Sequence, residues 1–148
     1  MKKLNQQATR IFCAILKKLG GKDYLQLQAK GFAPLSVKKM QENIITPAGN
    51  ATAYSLSHSY EQNGDLMRNP EMVFLVVDNR NGKTDYMQIG IYPQTYQDDQ
   101  EGLFEESIRV ENGKVTTCIK LWQEGHCRFA TTWLQNIKAL GFLNKCKR

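Results

Sequence analysis

Apolar residues recur every three or four positions near both ends of the chain, which is the spacing of an amphipathic helix. Near the N-terminal end this spacing predicts a helix over residues 4–19, and the two glycines that follow are suited to end it. Near the C-terminal end it predicts a helix over residues 126–140, ended by Gly141, with Phe142 placed to pack over its last turn.

Between the helices, apolar and polar residues alternate, as they do in a strand with one buried face. The clearest alternation runs over residues 54–60, where Tyr, Leu, His and Tyr fall on one side and serines on the other. Residues 72–78 are apolar on both sides and predict a second strand, and residues 84–92 predict a third. The Asn81-Gly82 pair between the last two is typical of a hairpin turn.

The weaker patterns extend the sheet. Residues 35–40 favour a strand. Residues 104–110 favour another, which a turn at Asn112-Gly113 joins to a partner strand beginning at Lys114. Residues 94–102 are acidic and rich in glutamine, which predicts a loop. No firm assignment follows for most of residues 22–45.

The register of the first hairpin follows from the need to keep the apolar residues together, because a slip of one residue moves every side chain to the other face. Pairing Tyr60 with Met72 and His58 with Phe74 satisfies this need. The covered face is then expected to carry Met72, Phe74, Val76, Met87, Ile89 and Ile91.

From these elements we predict an α+β fold, with residues 1–148 as one domain. An antiparallel sheet of about five strands, built from hairpins over residues 35–118, is covered by the two terminal helices. Residues 118–124 could continue the sheet or form a short helix, and residues 144–148 are predicted to be a disordered tail. The chain has 148 residues, enough for one core and too few for two typical domains.

The net charge of +6 is unevenly distributed. Residues 1–50 hold nine Lys or Arg against two acids, residues 51–113 hold four against eleven, and residues 114–148 hold seven against one. Basic segments can contact phosphates and attract nucleic acid. The interpretation that we prefer is that the basic helical faces lie near the acidic loops and that the two largely neutralise each other.

The four cysteines are irregularly spaced and form no CxxC pair, which is typical of reduced cytoplasmic thiols. A zinc site built from Cys118, His126 and Cys127 is an alternative, although no fourth ligand is evident. The apolar runs are shorter than the roughly 20 residues of a membrane-spanning helix. We therefore expect a cytoplasmic protein that does not enter the membrane.

One stretch combines a histidine, three carboxylates and a turn signal. It comprises His58, Tyr60-Glu61-Gln62-Asn63-Gly64-Asp65-Leu66 and Pro70-Glu71-Met72. This motif resembles the hallmark of a bacterial domain family of unknown function, encoded largely on conjugative and phage-like mobile elements and sometimes inside large polyvalent proteins. The similarity extends over most of the chain, from Leu35 to Phe142. The resemblance implies a mobile-element context and assigns no activity.

The chain departs from the family pattern at two positions of this motif. The pattern has an aspartate before the proline and an aromatic residue after the histidine, where this chain has Asn69 and Ser59. Those two positions are therefore less suited to carry a function that the family shares.

The candidate binding residues of the motif are His58, Glu61, Asn63, Asp65 and Glu71. One imidazole and three carboxylates on a loop could converge on Mg²⁺ or Mn²⁺, or could perform acid–base chemistry. The structural alternative is a rigid strand connection. In that case Asn63 and Gly64 form a turn with positive φ, and His58 is a partly buried, hydrogen-bonded residue.

These observations lead us to expect a small, non-enzymatic binding or accessory protein of a mobile genetic element, which contacts nucleic acid or a co-encoded protein. The alternative is a metal-assisted hydrolase that uses His58, Glu61, Asp65 and Glu71. The sequence contains no GxGxxG or GxxxxGK phosphate loop, and its local spacing suggests no nucleophile and base, so no cofactor is expected. The oligomeric state stays open.

Overall fold

The computed structural model describes residues 1–82 and 84–144, and within them the chain forms two α-helices and eight strands. In chain order, the elements are α1 (Gln6–Leu19), β1 (Tyr24–Leu27), β2 (Leu35–Thr46), β3 (Gly49–Gln62), β4 (Asp65–Asp78), β5 (Ile89–Asp98), β6 (Leu103–Glu106), β7 (Ile108–Glu111), β8 (Lys114–Cys118) and α2 (Lys120–Ala139). Of the predicted tail, residues 145–148 lie outside the described part of the chain. No helix in that part is both long and apolar enough to span a membrane.

The α+β class is confirmed, with one helix towards each end and a mostly antiparallel sheet, but the sheet is larger than predicted. Its order is β6-β5-β4-β3-β2-β8-β7, and β1 pairs with the N-terminal half of β2. The one parallel pairing among the described strands joins β2 to β8 at Ile45 and Lys114. The prediction of about five strands was wrong because β1 and β6 are too short to give a clear alternating pattern, and because β6 and β7 were taken as one strand.

The two ends of this sheet are joined by a single bent segment. Strand β6 pairs with β5 and strand β7 pairs with β8, yet only Ser107 separates β6 from β7. The amide of Ser107 donates to the carbonyl of Gln94, 2.8 Å away, which holds the bend against β5. The sheet therefore curls until its last strands return to β5.

The register predicted for the first hairpin was wrong. Met72 pairs with Leu56 and Phe74 pairs with Tyr54, because both strands continue to a two-residue turn at Asn63 and Gly64. These two residues have φ values of 54° and 84°, as a type I′ turn requires. The polar residues between Tyr60 and Met72 belong to strands that extend beyond the core, and they were mistaken for a loop.

The second hairpin was also misplaced. Strand β5 begins at Ile89 rather than at residue 84, and the connection before it contains a single 3₁₀ turn over Tyr86–Gln88. Met87 is consequently 66% exposed, against the prediction. The predicted loop over residues 94–102 is largely strand, because β5 extends to Asp98.

The main core lies between the two helices and one face of the sheet. Five of the six residues predicted for this face are buried there: Met72, Phe74, Val76, Ile89 and Ile91. Phe12 of α1 packs edge-to-face on Phe74 with ring centroids 4.9 Å apart, and such a pair contributes about 0.5–1.5 kcal/mol beyond its area.

A smaller core lies on the opposite face, where the sheet curls over itself. It contains Ile44, Ala51, Ala53, Leu75, Val77, Tyr92 and Ile108. Both faces of β4 are therefore covered, which explains its unbroken apolar run.

The residues at the ends of the two helices explain where the helices begin and end. Asn5 caps α1 by accepting a hydrogen bond from the amide of Ala8, 2.8 Å away, and Gly20 ends the helix with φ of 60°. Helix α2 begins at Lys120, six residues before the predicted start, because polar residues of its first turns hid the helical pattern. Phe142 packs back into the core, as predicted, and is 2% exposed.

Candidate functional site

His58 faces the helices rather than the solvent. Its Nδ1 lies 3.1 Å from the carbonyl oxygen of Ala33 and 3.3 Å from that of Pro34, so Nδ1 carries the proton and donates to them. The ring packs against Trp133 and Phe142, with centroids 5.6 Å and 5.3 Å away. Burial lowers the pKa of His58, and the carbonyl hydrogen bonds oppose this effect in part. The side chain is thus suited to pack as a neutral imidazole.

Glu71 lies on the opposite face of the sheet from His58. It pairs with Ser57, and its Oε2 accepts a hydrogen bond from the buried Ser55 hydroxyl at 3.1 Å. The Arg68 guanidinium lies 3.4 Å from a carboxylate oxygen of Glu71 and 3.2 Å from one of Asp99. The same Asp99 oxygen also accepts a hydrogen bond from the Arg68 backbone amide. Glu71 is therefore part of a polar cluster that fixes the start of β4 to the end of β5.

The other three candidates lie at the tip of the β3–β4 hairpin, where Glu61 and Asp65 are exposed and Asn63 forms the turn. Within residues 1–82 and 84–144, no group of three or more His, Cys, Asp or Glu side chains is arranged to hold a metal ion. The structure therefore does not assemble the predicted four-ligand set, since its members are divided between the hairpin tip and two faces of the sheet.

The alternative zinc ligands are not gathered either. Cys118 donates to the Gln123 side chain at 3.2 Å, and Cys127 lies 3.5 Å from the Lys2 carbonyl. Burial raises the pKa of Cys127 to about 11, which keeps this residue a thiol at neutral pH rather than the thiolate that zinc prefers.

A separate feature arises from the way the helices pack. Residues 1–22 contain six Lys or Arg and no acid, and α2 contains three against one. Both segments lie on the same face of the sheet, so nine cations and one acid share one layer. These cations are Lys2, Lys3, Arg10, Lys17, Lys18, Lys22, Lys120, Arg128 and Lys138.

None of these nine cations forms an ion pair with another described residue. The Lys and Arg side chains that do so are Lys39, Arg68, Arg80 and Arg109, all in the strands and their connections. Eight of the nine are exposed, and Lys18 is half-buried. In the described part of the chain, the acidic loops therefore do not neutralise the basic helices through direct ion pairs.

The N-terminal residues of the chain lie along α2. The Lys2 amide, before α1, donates to Gln123 early in α2, and Gln7 of α1 accepts a hydrogen bond from Gln135, more than three turns later. The N-terminal segment thus meets α2 in the same order along the two sequences. A seam between this segment and α2 exposes Lys2, Lys3, Arg10, Arg128 and Lys138, and we call these five residues the cationic seam.

Two cavities follow each other along this seam. The first, of about 520 Å³, is lined by Lys2, Lys3 and Arg128 together with Thr131 and Thr132. The second, of about 430 Å³, is lined by residues that include Gln6, Gln7, Arg10 and Lys138. Cationic side chains thus alternate with neutral hydrogen-bonding groups along an open groove.

Gln123 fixes the N-terminal end of the seam. It is 1% exposed, and its side chain accepts from the Lys2 amide at 2.7 Å and donates to the Lys2 carbonyl at 3.1 Å. Both backbone groups of Lys2 are therefore satisfied by one side chain. This bridge places Lys2 and Lys3 beside Arg128.

A comparison with family models identifies the family to which the chain belongs. The model of a domain of unknown function, DUF6908, matches residues 10–143. The chain belongs to the DUF6908 family. No curated protein matches the chain, and no solved structure does. The part matched to DUF6908 includes both helices of the seam except the first residues of α1, but the family description assigns no activity.

Sequence reasoning located the basic ends of the chain but not the seam, because the charges of distant segments add only when the helices pack side by side. It also missed the pairing of Glu105 with His126. The imidazole Nε2 lies 2.9 Å from a Glu105 oxygen, and His126 is 4% exposed. One signal was present: His126 falls four residues before Ala130 and seven before Trp133, on the buried stripe of α2.

Proposed function

We propose that this protein is a nucleic-acid-binding module that contacts the phosphate backbone through the cationic seam. The observation that carries this proposal is the excess of nine cations over one acid in the helical layer, with no ion pair to any of the nine from the described residues. A concentration of unpaired positive charge on one face attracts polyanions and speeds their association.

The dimensions of the seam suit a short stretch of backbone. Arg128 and Lys138 are ten residues apart on α2, which corresponds to about 15 Å along the helix axis. At a rise of about 3.4 Å per nucleotide in B-form DNA, that length covers about four nucleotides of one strand. The neutral donors between the cations, such as Thr131 and Gln135, can bind further phosphate and sugar oxygens.

The proposed binding is independent of sequence, because phosphate contacts position a protein without distinguishing bases. A cytoplasmic accessory role on a mobile element is part of the same proposal, and it rests on the resemblance of the motif rather than on the seam. The hydrolase alternative has less support, since His58 and Glu71 lie on opposite faces of the sheet.

Fluorescence anisotropy tests the proposal with labelled 20-nucleotide single strands and duplexes of DNA and RNA, from 50 to 400 mM salt. For a single strand, each contacted phosphate contributes about 0.7 to the slope of log K against log salt, so five cations give a slope near −3.5. Doubling the salt should therefore weaken binding about tenfold. Oligonucleotides of different sequence should bind with similar affinity.

The substitution Arg128→Gln should reduce the magnitude of the slope by about 0.7 and weaken binding at low salt. Arg109→Gln is the matched control, because it removes the same charge from an exposed side chain in the strand layer. Equal effects of the two substitutions would show that only net charge matters and would overturn the assignment to the seam. Absence of binding to all four nucleic acids at 50 mM salt would overturn the function itself.

A further inference from the structure

A third cavity, of about 400 Å³, lies between β5, β6 and the first turns of α2. Its walls include Tyr96, Trp122 and Phe129, with Glu105 and His126 beside them. None of the residues that line it also lines the two cavities of the seam, although Arg128 Nη2 lies 3.8 Å from the position of a Cβ at Gly125. Substitutions can therefore alter one site and leave the other intact.

The cavity has aromatic walls. Tyr96 and Phe129 meet edge-to-face with centroids 4.9 Å apart, and Tyr96 stacks on His126 at 5.9 Å with an interplanar angle of 29°. Trp122 and Phe129 stay 41% and 38% exposed. Ring faces presented to an open cavity attract cations through their quadrupoles.

The polar group of the cavity is a carboxylate. One oxygen of Glu105 is bound to His126 Nε2 at 2.9 Å, and Nδ1 of the same ring is bound to Ser107 at 3.1 Å, so the carboxylate is held in place. In the described part of the chain, the other oxygen of Glu105 has no hydrogen-bond partner and no Lys or Arg lines the cavity. Burial raises the pKa of Tyr96, and the carboxylates of Asp98, Glu105 and Glu101 raise it further. Glu105 is thus the one Asp or Glu among the residues that line this cavity, on a protein whose net charge is +6.

We propose that this cavity binds the guanidinium group of an arginine side chain presented by a partner protein. A guanidinium is planar and stacks on aromatic faces, and its N–H groups donate to the free oxygen of Glu105. A phosphate group would instead be repelled by the carboxylate. The nature of the occupant therefore follows from charge and from the aromatic walls together.

The surface around the cavity indicates that the guanidinium belongs to a protein rather than to a free small molecule. Leu121, on the rim of the cavity, is 75% exposed, and Ile119, outside it, is 40% exposed, so apolar surface continues outward from the cavity. A small guanidinium compound would leave this surface in water, whereas a peptide would cover it. This binding does not depend on the proposed contact with nucleic acid.

Isothermal titration calorimetry of the whole protein tests the proposal with acetyl-Leu-Arg-Leu-amide, its glutamine counterpart and n-butylguanidinium. The arginine peptide should bind saturably and at least about tenfold more tightly than the glutamine peptide, because a charge-assisted hydrogen bond is lost in the latter. It should also bind more tightly than butylguanidinium. Equal binding of both peptides would overturn the guanidinium assignment, and equal binding of butylguanidinium and the arginine peptide would overturn the partner-protein assignment.

Substitutions locate the binding. Glu105→Gln should lower the affinity for the arginine peptide about tenfold or more. Glu106→Gln, the same change on the opposite face of the strand, should alter this affinity less than about twofold. Leu121→Ala shortens an exposed side chain on the rim of the cavity, and it should weaken binding of the arginine peptide more than binding of butylguanidinium. Equal effects of the two glutamate substitutions, or no effect of Leu121→Ala on the peptide, would overturn the site.

Discussion

The stability of the protein should fall when the pH is lowered from 8 to 5, and His58 should cause part of this loss. Burial against Trp133 and Phe142 lowers the pKa of His58 below its usual value of about 6.5, while the carbonyls of Ala33 and Pro34 limit the shift. In the unfolded chain the imidazole is solvated, so its pKa returns to the usual value. The two states therefore take up a proton at different pH.

The sign of the effect follows from proton uptake. Between about pH 6.5 and the lowered pKa, the unfolded chain binds a proton at His58 that the folded protein does not, so acid favours unfolding. The contribution of His58 is complete above about pH 6.5 and is lost as the pH falls to the lowered pKa. The loss per pH unit cannot exceed about 1.4 kcal/mol, and it is smaller because the half-buried ring is partly solvated.

Urea denaturation from pH 8 to pH 5 measures this loss in the wild-type protein and in His58→Gln. The glutamine amide can still donate to the Ala33 carbonyl but does not titrate, so its stability should depend less on pH. An NMR titration of the two histidine Cε1 protons gives the folded pKa directly, and His58→Gln assigns the signals. The reasoning is refuted if His58 titrates at or above pH 6.5, or if both proteins lose stability equally between pH 6.5 and pH 5.

Three further predictions concern the fold and the tether of the seam. Gly64→Ala should lower the free energy of unfolding by about 1–2 kcal/mol, because Gly64 has φ of +84° and the strain is in the backbone, with open space around the residue. Gly125→Ala, within α2, should raise it by about 0.5–1 kcal/mol. Urea denaturation compares the two variants. Phe74→Ala should cost about 3–5 kcal/mol by the same measurement, since the side chain is fully buried. Gln123→Met should cost about 1–3 kcal/mol and also weaken nucleic-acid binding in the anisotropy assay, because the backbone of Lys2 loses both of its hydrogen bonds to this side chain.

Local patterns predicted the elements whose signals lie within a few residues of each other. The glycine at position 20 and the Asn-Gly pairs at positions 63 and 112 end or turn the chain by their own backbone preferences, and all have the positive φ expected. The buried face of β4 was found because its apolar residues alternate in step with those of its neighbours. A shift of register by an even number of residues preserves that face, which is why the core was correct although the pairing was not.

The errors arose where tertiary structure overrides composition. Residues 61–71 are polar and were taken for a loop, yet they form strands because the turn at Asn63 and Gly64 pairs them backbone to backbone. The same error affected the end of β5. The motif was proposed as one cluster because its residues are close in sequence, whereas a strand sends neighbouring side chains to opposite faces and thereby separated His58 from Glu71. The pairing of Glu105 with His126 could not be predicted from local spacing, because the two residues are far apart in sequence and meet only in the folded chain.

The pairing of the N-terminal segment with α2 also determines when the seam can exist during synthesis. Its cations come from residues 2–10 and 128–138, and the whole sheet lies between them in sequence. A nascent chain presents half of this surface until α2 has left the ribosome and packed beside α1. Contacts between segments so far apart form late in folding. Tight binding at the seam would therefore report that the chain has been translated through α2 and has folded, and a product cut short before α2 would be unable to compete for the same nucleic acid.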